Sequence, residues 1–262
     1  MKSNLNCVNK YGKTPVLYEF EKDNVSMEKI AFLIENKSLL NHKNSNGNTV
    51  LHISCRNDKI PLQTIIYLVE NKSDINSTDF MNNTPLHVLV KNDEISYEKI
   101  KFLIETKTYL NITDKEYCTP LVTSIKKQIP IEIIQLLVEN CDLNSNDPKK
   151  NILAPIFVAC KSESLNFEII RILVENKCDL KLKDVNGDTP LHLVCENENV
   201  SLEIIQFLIE NKSDMNKKNS FGETPIKLAL NNELLVQNII EKYGKNLSLD
   251  KIFENKNKCL VL

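Results

Sequence analysis

The chain repeats itself every 35 residues. A Thr-Pro-hydrophobic element opens at Thr14, Thr49, Thr84, Thr119, Ala154, Thr189 and Thr224. Clear copies are Thr84-Pro85-Leu86-His87 and Thr189-Pro190-Leu191-His192, while Thr49-Val50-Leu51-His52 lacks only the proline. Seven such units fill 245 of the 262 residues, which leaves no room for a separate catalytic domain. A fixed period of this size marks a stacked array. Each unit is too small to bury its apolar face alone and does so against its neighbours.

Each unit reads as two helices. Thr followed by Pro places a hydroxyl at the N-cap and a proline ring at the first helical position. A short helix follows, as over residues 191–195, then a polar break over 196–199. The second helix, as over 202–210, carries apolar residues at 202, 205, 208 and 209 on one stripe, with 204 alongside. Gly12, Gly47, Gly187 and Gly222 stand two residues before the Thr, where a tight turn asks for positive φ. Helix layers about 8–10 Å apart predict an all-α solenoid on the order of 60–70 Å long, with one β-turn finger per unit.

With these residues the chain resembles the ankyrin-repeat proteins. The resemblance rests on Thr-Pro-Leu-His, the small pairs Ser54-Cys55 and Ala159-Cys160, the Ile-Ile-x-x-Leu-hydrophobic-Glu second helix and the tail Asp74-Ile75-Asn76. It spans about residues 5–245. It implies an N-terminal finger over 1–13, seven ankyrin-type repeats over 14–245, and a C-terminal cap and tail over 246–258. Two departures recur. The period exceeds the usual ~33 residues through two extra residues between the helices. The glycine expected after the second helix is replaced by Lys37, Lys72, Lys107, Lys177 and Lys212, and only Gly244 fits. Those lysines, or their Asn neighbours, must then adopt the left-handed turn.

One junction is irregular. The fourth unit is a residue short between Thr119 and Glu139, and the next finger, 143–153, is two residues longer. Ala154 then replaces the capping Thr. The joint between units four and five is expected to be the weakest.

The chemistry-bearing residues argue against catalysis. His52, His87 and His192 occur once per unit, about 10 Å or more apart at the layer spacing above, too far to share a metal. The resemblance implies that this His hydrogen-bonds backbone at its own helix start. Cys55, Cys160 and Cys195 fall where the family has Ala, so they read as small core residues. The eight cysteines lack zinc-type pairing, and no secretory signal opens the chain, so reduced thiols and a cytoplasmic location are expected. There is no His-Glu-x-x-His, no phosphate-cradling loop and no Gly-x-Ser-x-Gly. No enzyme activity, metal or cofactor is expected. Thirty-three basic residues against 35 acidic ones argue against a nucleic-acid partner. No window approaches the length of a transmembrane helix.

Ankyrin arrays bind proteins on a concave face made of finger tips and first helices. The resemblance therefore implies a protein partner, held by a monomer. Seven residues after each Thr stand Glu21, Arg56, Lys91, Lys126, Lys161, Glu196 and Asn231. Four consecutive units thus present a cation, with Lys127 beside them, a row that suits an acidic segment. The finger tips carry Tyr11, Phe80, Met81, Tyr117, Ile152 and Phe221, residue types that anchor interfaces.

The last residues, Cys259-Leu260-Val261-Leu262, match the prenylation pattern C-a-a-X, and the final Leu favours geranylgeranyl on Cys259. Lys251, Lys256 and Lys258 add a thin basic second signal. The expectation is an adaptor tethered to the cytosolic face of a membrane. Its competitor is a soluble inhibitor that masks an enzyme or a transcription factor stoichiometrically.

Overall fold

The computed structural model describes residues 5–22, 25–145, 154–197 and 199–229. Regular structure among the described residues is helical throughout. The helices are α1 (Pro15–Phe20), α2 (Met27–Glu35), α3 (Val50–Arg56), α4 (Leu62–Glu70), α5 (Pro85–Lys91), α6 (Tyr97–Glu105), α7 (Pro120–Lys127), α8 (Ile131–Asn140), α9 (Pro155–Lys161), α10 (Phe167–Glu175), α11 (Pro190–Glu196), α12 (Leu202–Glu210) and α13 (Pro225–Leu228). The fold is the all-α repeat array that the period predicts. It divides into two compact units, Met1–Asp142 with α1–α8 and Leu143–Leu262 with α9–α13. The division falls within the irregular junction.

Local chemistry sets the helix ends. Thr14 and Thr119 accept the N–H groups of Leu17 (3.5 Å) and Val122 (3.2 Å), and Pro15 and Pro120 occupy the first turn. Four second helices have their own side-chain caps, Ser26, Ser96, Asn166 and Ser201, while α4 and α8 start after Pro61 and Pro130. Apart from α8, the described second helices turn on a lysine and not on the residue before it: Lys37, Lys72, Lys107, Lys177 and Lys212 have φ between 62° and 73°. At the first of these, Lys37 N–H reaches Ile34 O and Ser38 N–H reaches Leu33 O, the paired bonds of a Schellman turn. A side chain in the left-handed region costs about 1–2 kcal/mol, which glycine would avoid.

Packing follows the helix order. In the first unit α1, α3, α5 and α7 stack as one layer, and α4, α6 and α8 as another. In the second unit α9, α11 and α13 stack in the same way. Val16, Leu51, Leu86 and Leu121 are sealed at the centre of the first layer, and Ile30, Ile65, Ile100 and Ile134 face them from the second. Burial of one such side chain stabilises by about 1.5–3 kcal/mol. In the second unit Ile156, Leu191 and Ile226 are buried at the corresponding positions, as are Ile170 and Ile205.

The irregular junction has a visible cause on each side. Helix α7 runs one residue longer than α5 and stops on Gln128 at φ 51°, so only three residues lead into α8. Helix α8 ends on Cys141 in extended backbone, without a left-handed lysine. Helix α9 starts at Ala154 with no side-chain cap. The second helix of the seventh repeat, the cap over 246–258 and the Cys259 tail lie outside the described residues. Restoring the hydroxyl with Ala154→Thr should raise unfolding free energy by roughly 0.5–2 kcal/mol, read from the urea midpoint. An unchanged midpoint would show that the cap is not what α9 lacks.

Candidate protein-binding surface

Each finger is built by one side chain. Asn9, Asn44, Asp79, Asp114, Asp184 and Asn219 each accept, through Oδ1, the backbone N–H groups two and four residues ahead. Asp114, for example, accepts from Glu116 (2.9 Å) and Cys118 (3.0 Å). The tight turn then needs a left-handed residue, supplied by Gly12, Gly47, Asn82, Tyr117, Gly187 and Gly222. At Gly47 space matters too: a Cβ there would lie 2.7 Å from Phe80 Cδ1.

Neighbouring fingers are bonded directly. Ser45 N–H donates to Tyr11 O (3.2 Å), Phe80 to Asn46 O (3.2 Å) and Lys115 to Met81 O (3.0 Å). In the second unit Ser220 donates to Asn186 O (2.9 Å). An asparagine ladder adds to this behind the second helices. Asn6, Asn41 and Asn76 accept from the N–H groups of Leu39, Asp74 and Tyr109 one repeat on, and Asn144 accepts from Asp179 in the second unit.

The repeated histidines do more than cap their own helices. Nδ1 of His52, His87 and His192 accepts the N–H of Thr49, Thr84 and Thr189 at 3.1–3.3 Å. That fixes the proton on Nε2, which donates to the carbonyl of Asn83, Cys118 and Glu223 at 3.0–3.1 Å. Each acceptor belongs to the next finger, 31 residues ahead. Burial lowers the pKa of His52 and His87 from the ordinary 6.5, against the opposing pull of those carbonyls and of nearby carboxylates. Among the described residues no group of three or more His, Cys, Asp or Glu could hold a metal ion.

The cation row is part of the same fabric. Lys91 Nζ binds Asp114 Oδ2 (2.7 Å) and Asn83 Oδ1 (2.7 Å), and Lys161 binds Asp184 Oδ2 (2.9 Å). The lysines stay near the surface while Asp114 and Asp184 are buried, so part of each positive charge is spent on a finger base. Arg56 leans on Asn48 Oδ1 (3.4 Å), Lys126 on Cys118 Sγ (3.0 Å), and Lys127 on the Lys91 carbonyl and Asp93. A charge register in the sequence could have revealed the Lys91–Asp114 and Lys161–Asp184 pairs. Twenty-three residues after Arg56, Lys91 and Lys161 stand Asp79, Asp114 and Asp184. After Glu21 and Glu196 stand the neutral Asn44 and Asn219.

The finger-tip residues are exposed together. Phe80 and Met81 are 57% and 54% exposed, and Tyr11, Tyr117 and Phe221 are also open. Phe80 covers Gly47 of the preceding finger and still shows one face. Ile152 and Cys259 lie outside the described residues. Among the described residues no helix is long and apolar enough to cross a membrane.

These contacts fix the direction of the pH dependence. Burial disfavours the Asp114 carboxylate, but the Lys91 hydrogen bond and the Cys118 and Glu116 amides outweigh it and hold the pKa below 3.8. Its stabilisation is present above that ordinary value and is lost as pH falls through the lower folded value. His52 and His87 act earlier. Below pH 6.5 the unfolded chain binds protons that the folded imidazoles refuse, so stability falls. Urea midpoints should therefore drop on acidification from pH 7, with a second fall below about pH 4. Asp114→Asn should keep its finger, as Asn44 and Asn219 do, and shrink the second fall. A second fall of unchanged size would remove Asp114 from the account.

Comparison with known proteins agrees with this geometry. The profile described as "Ankyrin repeats (3 copies)" matches residues 62–147 and 156–251, and "Ankyrin repeats (many copies)" matches 33–89. No curated protein matches the chain. Among solved structures, the ankyrin repeat domain of Bcl-3, described as a unique member of the IkappaB protein family, superposes with a TM-score of 0.73. It is 18% identical, and the alignment covers 86% of this chain and 97% of that one. With its period, capped helix pairs and bonded fingers in agreement with these profiles, the chain belongs to the ankyrin-repeat family.

Proposed function

We propose that the chain is a non-enzymatic adaptor that captures an extended, acidic protein segment on its fingers and first helices. Ankyrin repeats support a protein-interaction role in general. The observation that carries the finer reading is the set of exposed Phe80, Met81 and Tyr117 on two bonded fingers, in an array whose first helices carry the cations Arg56, Lys126 and Lys127. Phe80 and Met81, held on a bonded turn, lose little entropy on binding and make good anchors. Lys91 and Lys161 belong to the same row, but their carboxylate partners leave them a smaller share of the attraction. Tyr11 and Phe221 extend the apolar tips in the first and second units respectively.

Cys259 is the proposed lipid attachment point, and it places the adaptor on the cytosolic face of a membrane as a peripheral monomer. A soluble inhibitor that masks an enzyme or a transcription factor is the competing reading, and it would use the same surface. Prenylated Cys259 in the protein from its own cells would favour the adaptor, and an unmodified terminus the inhibitor. Affinity capture from those cells tests the surface. Phe80→Ala with Met81→Ala should weaken retention of the main partner by tenfold or more, the scale of an interface hot spot. Arg56→Glu with Lys126→Glu should weaken it mostly at low salt. Capture unaffected by both pairs would contradict the assignment.

A further inference from the structure

Cys118 sits where an uncommon pair of nucleophiles meets. Lys126 Nζ lies 3.0 Å from its Sγ, within hydrogen-bond reach. Lys91 and Lys161 each bind an aspartate 23 residues ahead, whereas Lys126 meets the sulfur of its own finger. That finger also carries Tyr117 at φ 60°, where four other fingers of the array have glycine. A bulky side chain there costs about 1–2 kcal/mol, which favours brief opening of the turn that covers Cys118.

We propose that Cys118 and Lys126 form a redox modification site, at which hydrogen peroxide joins the sulfur to the lysine nitrogen as a sulfenamide. The Cys118 thiolate attacks one peroxide oxygen. An S–O bond forms, the O–O bond breaks, and the departing hydroxide takes a proton and leaves as water. Sulfur is oxidised by two electrons to the sulfenic acid. The neutral Lys126 amine then attacks that sulfur. The S–N bond forms, the S–O bond breaks, and the second oxygen leaves as water with a proton from the nitrogen. In sum, one thiol, one amine and one peroxide give one S–N bond and two waters. Thiol reductants reverse it by attack on sulfur.

The contact itself favours this pair. Sγ and Nζ already stand at hydrogen-bond distance, so the S–N bond needs little movement once the sulfenic acid exists. The core thiols Cys55, Cys178 and Cys195 are pushed up to about 12 by burial and stay protonated. Loss of the Lys126 charge from the partner surface would follow, a consequence that rests on the functional reading above. The bridge itself does not depend on that reading.

The test uses the full chain, hydrogen peroxide, trypsin and mass spectrometry. Cys118 and Lys126 lie in one tryptic segment, so the bridge should leave residues 116–127 uncut at Lys126 and about 2 Da lighter, the mass of two hydrogens. Dithiothreitol should restore both cleavage and mass. In Lys126→Arg the lighter peptide should vanish, and dimedone trapping of Cys118 sulfenic acid should rise several-fold. Normal cleavage at Lys126 after peroxide, with Cys118 either unmodified or carried to the sulfinic acid, would overturn the proposal. Equal dimedone trapping in the two proteins would do the same.

Discussion

The structure depends on a bond that leaves its own repeat. A buried imidazole accepts from the helix start behind it and donates to the finger ahead of it. One neutral side chain thereby fixes two backbone groups that belong to different repeats. A unit of two short helices has too little apolar surface to fold alone. The His52 and His87 bonds, the finger-to-finger amide bonds and the asparagine ladder make each unit's geometry a condition of its neighbour's. The buried Val, Leu and Ile columns supply the stabilisation, and these polar bonds set the register in which the columns meet.

Rigidity of the fingers follows from the same bonds, and rigidity is what a binding surface of this kind needs. Every described turn has its Asx side chain tied to two amides, and most have a neighbour's carbonyl as well. The exposed Phe80 and Met81 are therefore held in place before any partner arrives. Charge has a double role. Lys91 and Lys161 neutralise buried aspartates at the finger bases and still reach the surface. Stability and partner attraction draw on the same side chains, so charge-reversal variants must be compared at equal folding.

Much of this was legible in the sequence. The 35-residue period places every described helix, and Thr14 and Thr119 cap where the pattern puts them. The five lysines in place of glycine do take positive φ. The exposure of the finger tips follows from their place in the repeat. What a repeat read one unit at a time did not show was pairing across repeats. The lysines read as a free row because a single repeat contains no partner for them, and the aspartate lies 23 residues on, in the next finger. The far half of each histidine's role was hidden for the same reason, since its acceptor is a backbone carbonyl with no residue signature. The contact between Lys126 and Cys118 was hidden too, since nothing in the pattern pairs this lysine with a cysteine eight residues before it.

The most direct test of this account is the protonation state of the three histidines, read from imidazole ¹⁵N shifts at neutral pH. Nδ1 should be unprotonated and Nε2 should carry a slowly exchanging proton in His52, His87 and His192. That pattern would place each imidazole between its own helix start and the next finger. A proton on Nδ1, or rapid averaging of the two nitrogens, would mean that the repeats are not joined through these side chains.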